Sequence, residues 1–206
     1  MGVLGPVNRL TTRARRISDR CRGLTYSRLY VVTAIATLIG IALSSNLMAQ
    51  DKANVEQVKA AFLFQFTHFV EWPEGSFASS DEPLTICIVG NNLIEKELNK
   101  IVRAKQAGTR TIRVEGHASD SAFTDCHILF VDESRSKRLA TIIEKLRGKP
   151  TLTVGDESAF TKKGGVLRLY EKAGRLSIEI NTDAAERASL RISSKLLSLA
   201  KLVRDE

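Results

Sequence analysis

Few side chains here are of the types that make or break bonds, and their spacing limits the chemistry open to them. The histidines are His68, His117 and His127; the cysteines are Cys21, Cys87 and Cys126. Asp125, Cys126 and His127 carry zinc-ligand atoms, but no H-E-x-x-H or C-x-x-C accompanies them, and zinc sites usually show such spacing. No serine sits in a G-x-S-x-G elbow, and neither the Walker pattern nor G-x-G-x-x-G occurs. Gly164-Gly165 looks like a phosphate loop, yet no helix follows to aim its N–H groups at an anion; it reads as a tight turn into a strand. Glu71, Glu74, Asp81 and Glu82 gather near one loop and read as a solvated surface, because an acid–base pair needs burial to split its pKa values. The residues assign no catalytic group, no cofactor and no metal.

The aromatic cluster Phe62, Phe64, Phe66, Phe69 and Trp72 is the least ordinary feature. Its three- and four-residue spacing predicts a helix packed toward a core. Its far end, Phe66, Phe69 and Trp72, is the candidate partner or ligand face.

A leader precedes all of this. Seven arginines lie between Arg9 and Arg28, followed by the uncharged run Leu29–Leu43 and small residues near Ala49. That order is a secretory signal. The stretch 29–47, about 19 residues, also nears the ~20 that span a bilayer, so residues 1–49 read as a signal peptide or an N-terminal membrane anchor. Either way residues 51–206 face the periplasm or cell exterior. The leader supplies +6 of the formal +8 charge, so the high charge gives no support for nucleic-acid binding, which wants a basic patch on the folded domain. Cys87 and Cys126 remain beyond the leader. In an oxidising compartment they suggest one disulfide closing a loop of about 40 residues; the alternative is two separate buried thiols.

Residues 52–70 read as a helix ended before Trp72-Pro73. Leu84–Val89 and Cys126–Val131 are continuous apolar runs, the mark of strands buried on both faces. Helices are predicted at 93–104 and 135–147, and further strands at 110–114 and 151–154. Val166–Tyr170 and Arg175–Ile180 form a hairpin around Glu171–Gly174. Helix closes the chain at Thr182–Arg187 and Ser194–Arg204. Strands joined by helical crossovers imply parallel pairs. The fold expected is α/β, a single domain with a mixed, mostly parallel β-sheet, helices on both faces, and a C-terminal β-hairpin plus helix.

The stretches Lys59–Phe66, Phe69–Pro73, Ile86–Gly90, Cys126–Val131, Leu152–Val154, Gly164-Gly165, Ile178–Asn181, Ala184-Ala185 and Leu190–Leu197 together resemble the YfiR family of small periplasmic regulators. The resemblance covers about 55–204 and implies several things that composition does not. It implies a non-enzymatic repressor that binds the periplasmic sensor part of an inner-membrane diguanylate cyclase, lowering cyclic di-GMP signalling and so affecting biofilm regulation. An outer-membrane lipoprotein that sequesters the repressor, and a homodimer, are implied as partners. Cys87 and Cys126 fall where the family's cysteine pair falls; a second pair nearer the C-terminus has no counterpart, since no cysteine follows Cys126. The rival reading of the residues is a periplasmic small-ligand sensor, with its ligand near Phe69–Trp72.

Overall fold

The computed structural model describes residues 55–104, 110–117, 123 and 125–205. Residues 1–49, with the signal peptide or membrane anchor expected there, lie outside them. In order, the elements are helix α1 (55–69), β1 (Val70–Glu71), β2 (Leu84–Val89), α2 (Asn92–Ala104), β3 (Ile112–His117), β4 (Ile128–Val131), a 3₁₀ helix (Glu133–Arg138), α3 (Leu139–Lys145), β5 (Leu152–Gly155), β6 (Leu167–Lys172), β7 (Arg175–Asn181), α4 (Thr182–Arg187), β8 (Arg191–Ile192), α5 (Ser194–Leu197) and β9 (Lys201–Val203).

Among the described residues seven strands form one sheet in the order β3-β2-β4-β5-β6-β7-β9, and β1 pairs with β8 apart from it. β3 through β6 run parallel, β7 returns antiparallel to β6, and β9 pairs parallel with β7. The sheet is thus mixed and mostly parallel, with the hairpin near its C-terminal edge.

Period-two alternation divides β2 and β4 between two cores. Ile86, Ile88, Ile128 and Phe130 face Leu63 and Phe66 of α1 and Ile94 and Leu98 of α2. Cys87, Val89, Leu129 and Val131 face the opposite way, toward Leu139 and Ile142 of α3 and toward Phe160. Helices therefore cover both faces, which is why the central strands carry no polar alternation.

Cys87 and Cys126 are joined in a disulfide across a sequence separation of 39, with Cα atoms 5.8 Å apart. The bridge lies in the α3-side core. Phe160 plugs the same core. Its ring sits between Gly155 and Gly165, where an added Cβ would come within 2.2 Å of ring atoms in either case. The Gly164-Gly165 pair is thus a turn that also leaves room for an aromatic ring.

The strand expected at 110–114 is shifted to Ile112–His117, the helix expected at 135–147 is a 3₁₀ helix at Glu133–Arg138 running into α3, and two elements differ in kind. The helix expected to 70 gives way at Val70–Glu71 to a short strand that pairs with Ile192 and Arg191. The C-terminal helix is one turn at Ser194–Leu197. Lys201–Val203 is an edge strand instead, held by backbone pairing to Glu179–Asn181 and by the Lys201 Nζ to Glu179 Oε2 contact of 2.8 Å. The leucine spacing fits a helix, but the backbone of Lys201–Val203 pairs with the exposed side of β7 instead, with Lys201 meeting the buried Glu179 carboxylate there.

Candidate functional site

The sheet reverses its direction of growth at β2. The connection through α2 places β3 on one side of β2, and β4 lies on the other. α2 and α3 accordingly cover opposite faces. In open α/β sheets the loops leaving the two strands at such a point part and leave a crevice at the carboxyl end. Here a crevice of about 780 Å³ opens there, lined by Gly90–Leu93 after β2, Asp132–Ser134 after β4, Asp156–Ser158 after β5, and Glu56 and Lys59 of α1.

Its polar network is tight. Lys59 Nζ reaches Asp156 Oδ2 at 2.7 Å and Glu56 Oε1 at 3.5 Å. Burial pulls the Lys59 ammonium down, but the hydrogen bond and charge of Asp156, with Glu56 behind them, hold its pKa above the ordinary lysine value. Asn91 Nδ2 donates to Asp132 Oδ2 at 3.0 Å. Burial pushes the Asp132 carboxyl up, yet hydrogen bonds from Ser134 and Asn91 and the charge of Lys59 keep it below the usual range. Gly90, at φ +96°, lets the two loops pass closely, because an added Cβ would meet Asp132, Ser134 and Arg135 at 3.0–3.1 Å.

At the opposite end of β2 and β4 lies the aromatic cluster. Phe66 is 1% exposed and belongs to the core, so it cannot serve as a docking face. The helical spacing that brings it near Phe69 turns it inward. Phe69 and Trp72 are half-buried. Trp72 Nε1 donates to the His127 carbonyl at 3.2 Å. Phe77 stacks on the His127 ring at 4.2 Å, and the Arg110 guanidinium caps Phe77 at 4.0 Å. Arg110 also donates to the carbonyls of Ser79, Ser80 and Glu82, so it clasps the loop after β1.

His127 is a positioning element of that loop. The Thr85 N–H donates to its Nδ1 at 3.1 Å, which leaves the proton on Nε2, 3.0 Å from the Ser76 carbonyl. Burial lowers the His127 pKa; the Ser76 carbonyl and Glu82 oppose this, and Arg110 adds to it. Neutral His127 therefore contributes stability that is fully present above the unfolded imidazole value of about 6.5 and is lost as pH falls through the depressed folded value. We expect the denaturant midpoint, read from Trp72 fluorescence, to fall as pH drops from 7.5 to 5. His127→Gln should lower the midpoint overall but flatten that slope; an unchanged slope would count against the assignment.

The remaining sequence candidates scatter. His68 is exposed, with Nδ1 3.1 Å from Thr67 Oγ1. His117 ends β3, and its side chain lies outside the described residues. Glu82 accepts from the Ala78 N–H, and Glu71 lies 3.8 Å from Arg191. Asp125 is exposed while Cys126 is in the disulfide and His127 is turned to Thr85 and Ser76. No group of three or more potential metal ligands converges among the described residues.

The crevice was absent from the sequence reading. Its members lie on four separated segments, and each alone looks like a solvated polar residue. One signal was available. Gly90-Asn91-Asn92 and Asp132-Glu133-Ser134 directly follow the two most apolar strand runs, where a doubly wound sheet places ligands.

A family model described as YfiR/HmsC-like matches residues 56–201. Two solved structures are similar at low identity. One is a conserved domain protein from Vibrio cholerae O1 biovar El Tor: 12% identity, TM-score 0.45, 58% of this chain and 54% of that one covered. The other is an ABC domain in complex with L-Trp from Streptococcus pneumonia: 10% identity, TM-score 0.43, with 58% and 55% covered. This chain thus matches about half the length of each.

Proposed function

From the premise that this chain belongs to the YfiR/HmsC-like family, whose general role is periplasmic regulation, we propose that it binds and inhibits the periplasmic sensor part of an inner-membrane diguanylate cyclase. Bound, it lowers cyclic di-GMP signalling without catalysing a reaction. The family match across nearly all of residues 55–205 carries this reading. The Cys87–Cys126 disulfide fits an exported domain. Residues 1–49 are its signal peptide or anchor, and residues 51–206 its regulatory domain. An outer-membrane lipoprotein that sequesters it, and a homodimer, belong to the same proposal. Trp72, half-buried beside the loop that His127 and Arg110 hold, and Phe69, half-buried with the Lys195 ammonium 5.7 Å from its ring, are its partner face.

Such a regulator works only by binding one conformation of its target better than another. The test is cellular cyclic di-GMP in a deletion strain. The level should rise on deletion and return only when the exported form is restored. An unchanged level under several growth conditions would sink the cyclase reading.

A second reading, a periplasmic small-ligand sensor, is favoured by one observation, the crevice of about 780 Å³ at the switch point of the sheet. In that reading the ligand site moves away from Phe69–Trp72. There the indole N–H is already bonded to His127, and Phe77 occupies the face of the imidazole.

A further inference from the structure

We propose that the crevice between the β2 and β4 loops binds a small organic cation with several N–H donors, of the polyamine or guanidine class. This deepens the sensor reading and is independent of the cyclase.

Crevices of this type commonly take anions, because helix N-termini offer free N–H groups. Here the protein's own acceptors fill those places. Asn91 Oδ1 accepts from the Leu93 and Ile94 N–H groups at 3.0 and 3.3 Å. Asp132 Oδ1 accepts from the Ser134 N–H at 3.0 Å, and Asp156 Oδ1 from the Glu133 N–H at 2.7 Å. An incoming phosphate or carboxylate would find the donors taken and carboxylates in its path.

Acceptors are what remain. The lining holds the carboxylates of Glu56, Asp132, Glu133, Asp156 and Glu157, and among the lining residues the only lysine or arginine is Lys59. Glu56 is 4% exposed, and its Oε2, like Glu157 Oε2, is buried without a hydrogen-bond partner among the described residues. Their other oxygens are engaged, Glu56 Oε1 with Lys59 and Glu157 Oε1 with Lys163 at 3.1 Å. A buried carboxylate oxygen without a donor is costly, and native structures rarely leave one. These two come from α1 and from the loop after β5, so one extended cation could bridge both elements. A bare metal ion fits less well. The Lys59 ammonium already stands between Asp156 and Glu56, and no set of three potential ligands converges among the described residues.

Calorimetric titration of spermidine and of agmatine into the full chain, in mild detergent, tests the site. Saturable single-site binding is expected that Mg²⁺ does not displace at equal charge. Glu56→Gln and Glu157→Gln should each weaken it roughly tenfold or more, the loss of one charge-assisted hydrogen bond, while Glu171→Gln on the exposed hairpin leaves it unchanged. If Glu56→Gln proves misfolded by circular dichroism, Glu157→Gln decides alone. Absence of saturable binding, displacement by Mg²⁺, or equal weakening by Glu171→Gln would overturn the proposal. A chain that binds neither amine yet still represses cyclic di-GMP would overturn it while leaving the regulator reading intact.

Discussion

Replacing Phe160 with alanine is expected to destabilise the folded domain by about 3–5 kcal/mol, in the range for a fully buried aromatic ring. Phe160 is 0% exposed and packs in the α3-side core with Leu139, Ile142 and Leu146. Its ring fills a slot whose two sides are Gly155 and Gly165, so the cavity left behind would be walled by backbone that cannot collapse inward without moving β5 or the turn before β6. The glycines give a sharper check. Gly155→Ala or Gly165→Ala alone puts a methyl group 2.2 Å from ring carbons, and overpacking of a well-filled core costs about 1–3 kcal/mol or more. In a Phe160→Ala background the same methyl enters vacated space, and its cost should vanish or reverse. The cycle is measured by urea unfolding with the slope held constant. Additive single and double mutants would show that ring and glycines do not share one slot. Phe160→Leu supplies a milder member if the alanine variant fails to fold.

Much of the architecture was legible because strand burial left its mark directly. Leu84–Val89 and Ile128–Val131 are buried at every position, and an unbroken apolar run can be read without knowing the neighbours. α1 was legible through the three- and four-residue spacing of Phe62, Phe66 and Phe69. The illegible parts are those decided by partners far along the chain. Lys201–Val203 reads as helix until Glu179 is seen beside it. Lys59 and Asp156 are 97 residues apart, and nothing local tells a surface lysine from one that knits α1 to the loop after β5. Phe77 reads as a loop residue and Arg110 as the first residue of a strand, yet together they complete the stack on His127 that the aromatic helix only begins. The aromatic stripe foretold a core but overstated a face, because periodicity says which side of a helix is apolar and not how deeply that side is covered. Polar sites at strand ends are assembled by topology, and topology is the last property that a single chain reveals.

Removing the disulfide should have an effect of similar size and a different signature. The Cys87→Ala, Cys126→Ala double variant is expected to lose about 4 kcal/mol, the chain-entropy value for a closed loop of this length. That is a large share of the roughly 5–15 kcal/mol that keeps a domain folded. In the chain-entropy account most of that loss acts through the unfolded state, and because the two residues are 0% and 5% exposed, the void left by the two sulfurs adds a native-state cost. That burial also predicts that reductant leaves the native bridge intact under mild conditions and cleaves it once denaturant opens the core, so the midpoint in reductant should approach that of the double variant. If the midpoints of oxidised, reduced and double-variant protein coincide, the bridge contributes nothing. The same pair separates two causes in the cyclic di-GMP experiment. If residues 1–49 direct export, as proposed above, a form without them stays in a reducing compartment and can fail to repress through misplacement or through a missing disulfide. The exported double variant has the place without the bridge. Repression by it would assign the failure of the leaderless form to location, and loss of repression, with the protein depleted from the periplasm, would assign it to the stability that Cys87 and Cys126 provide.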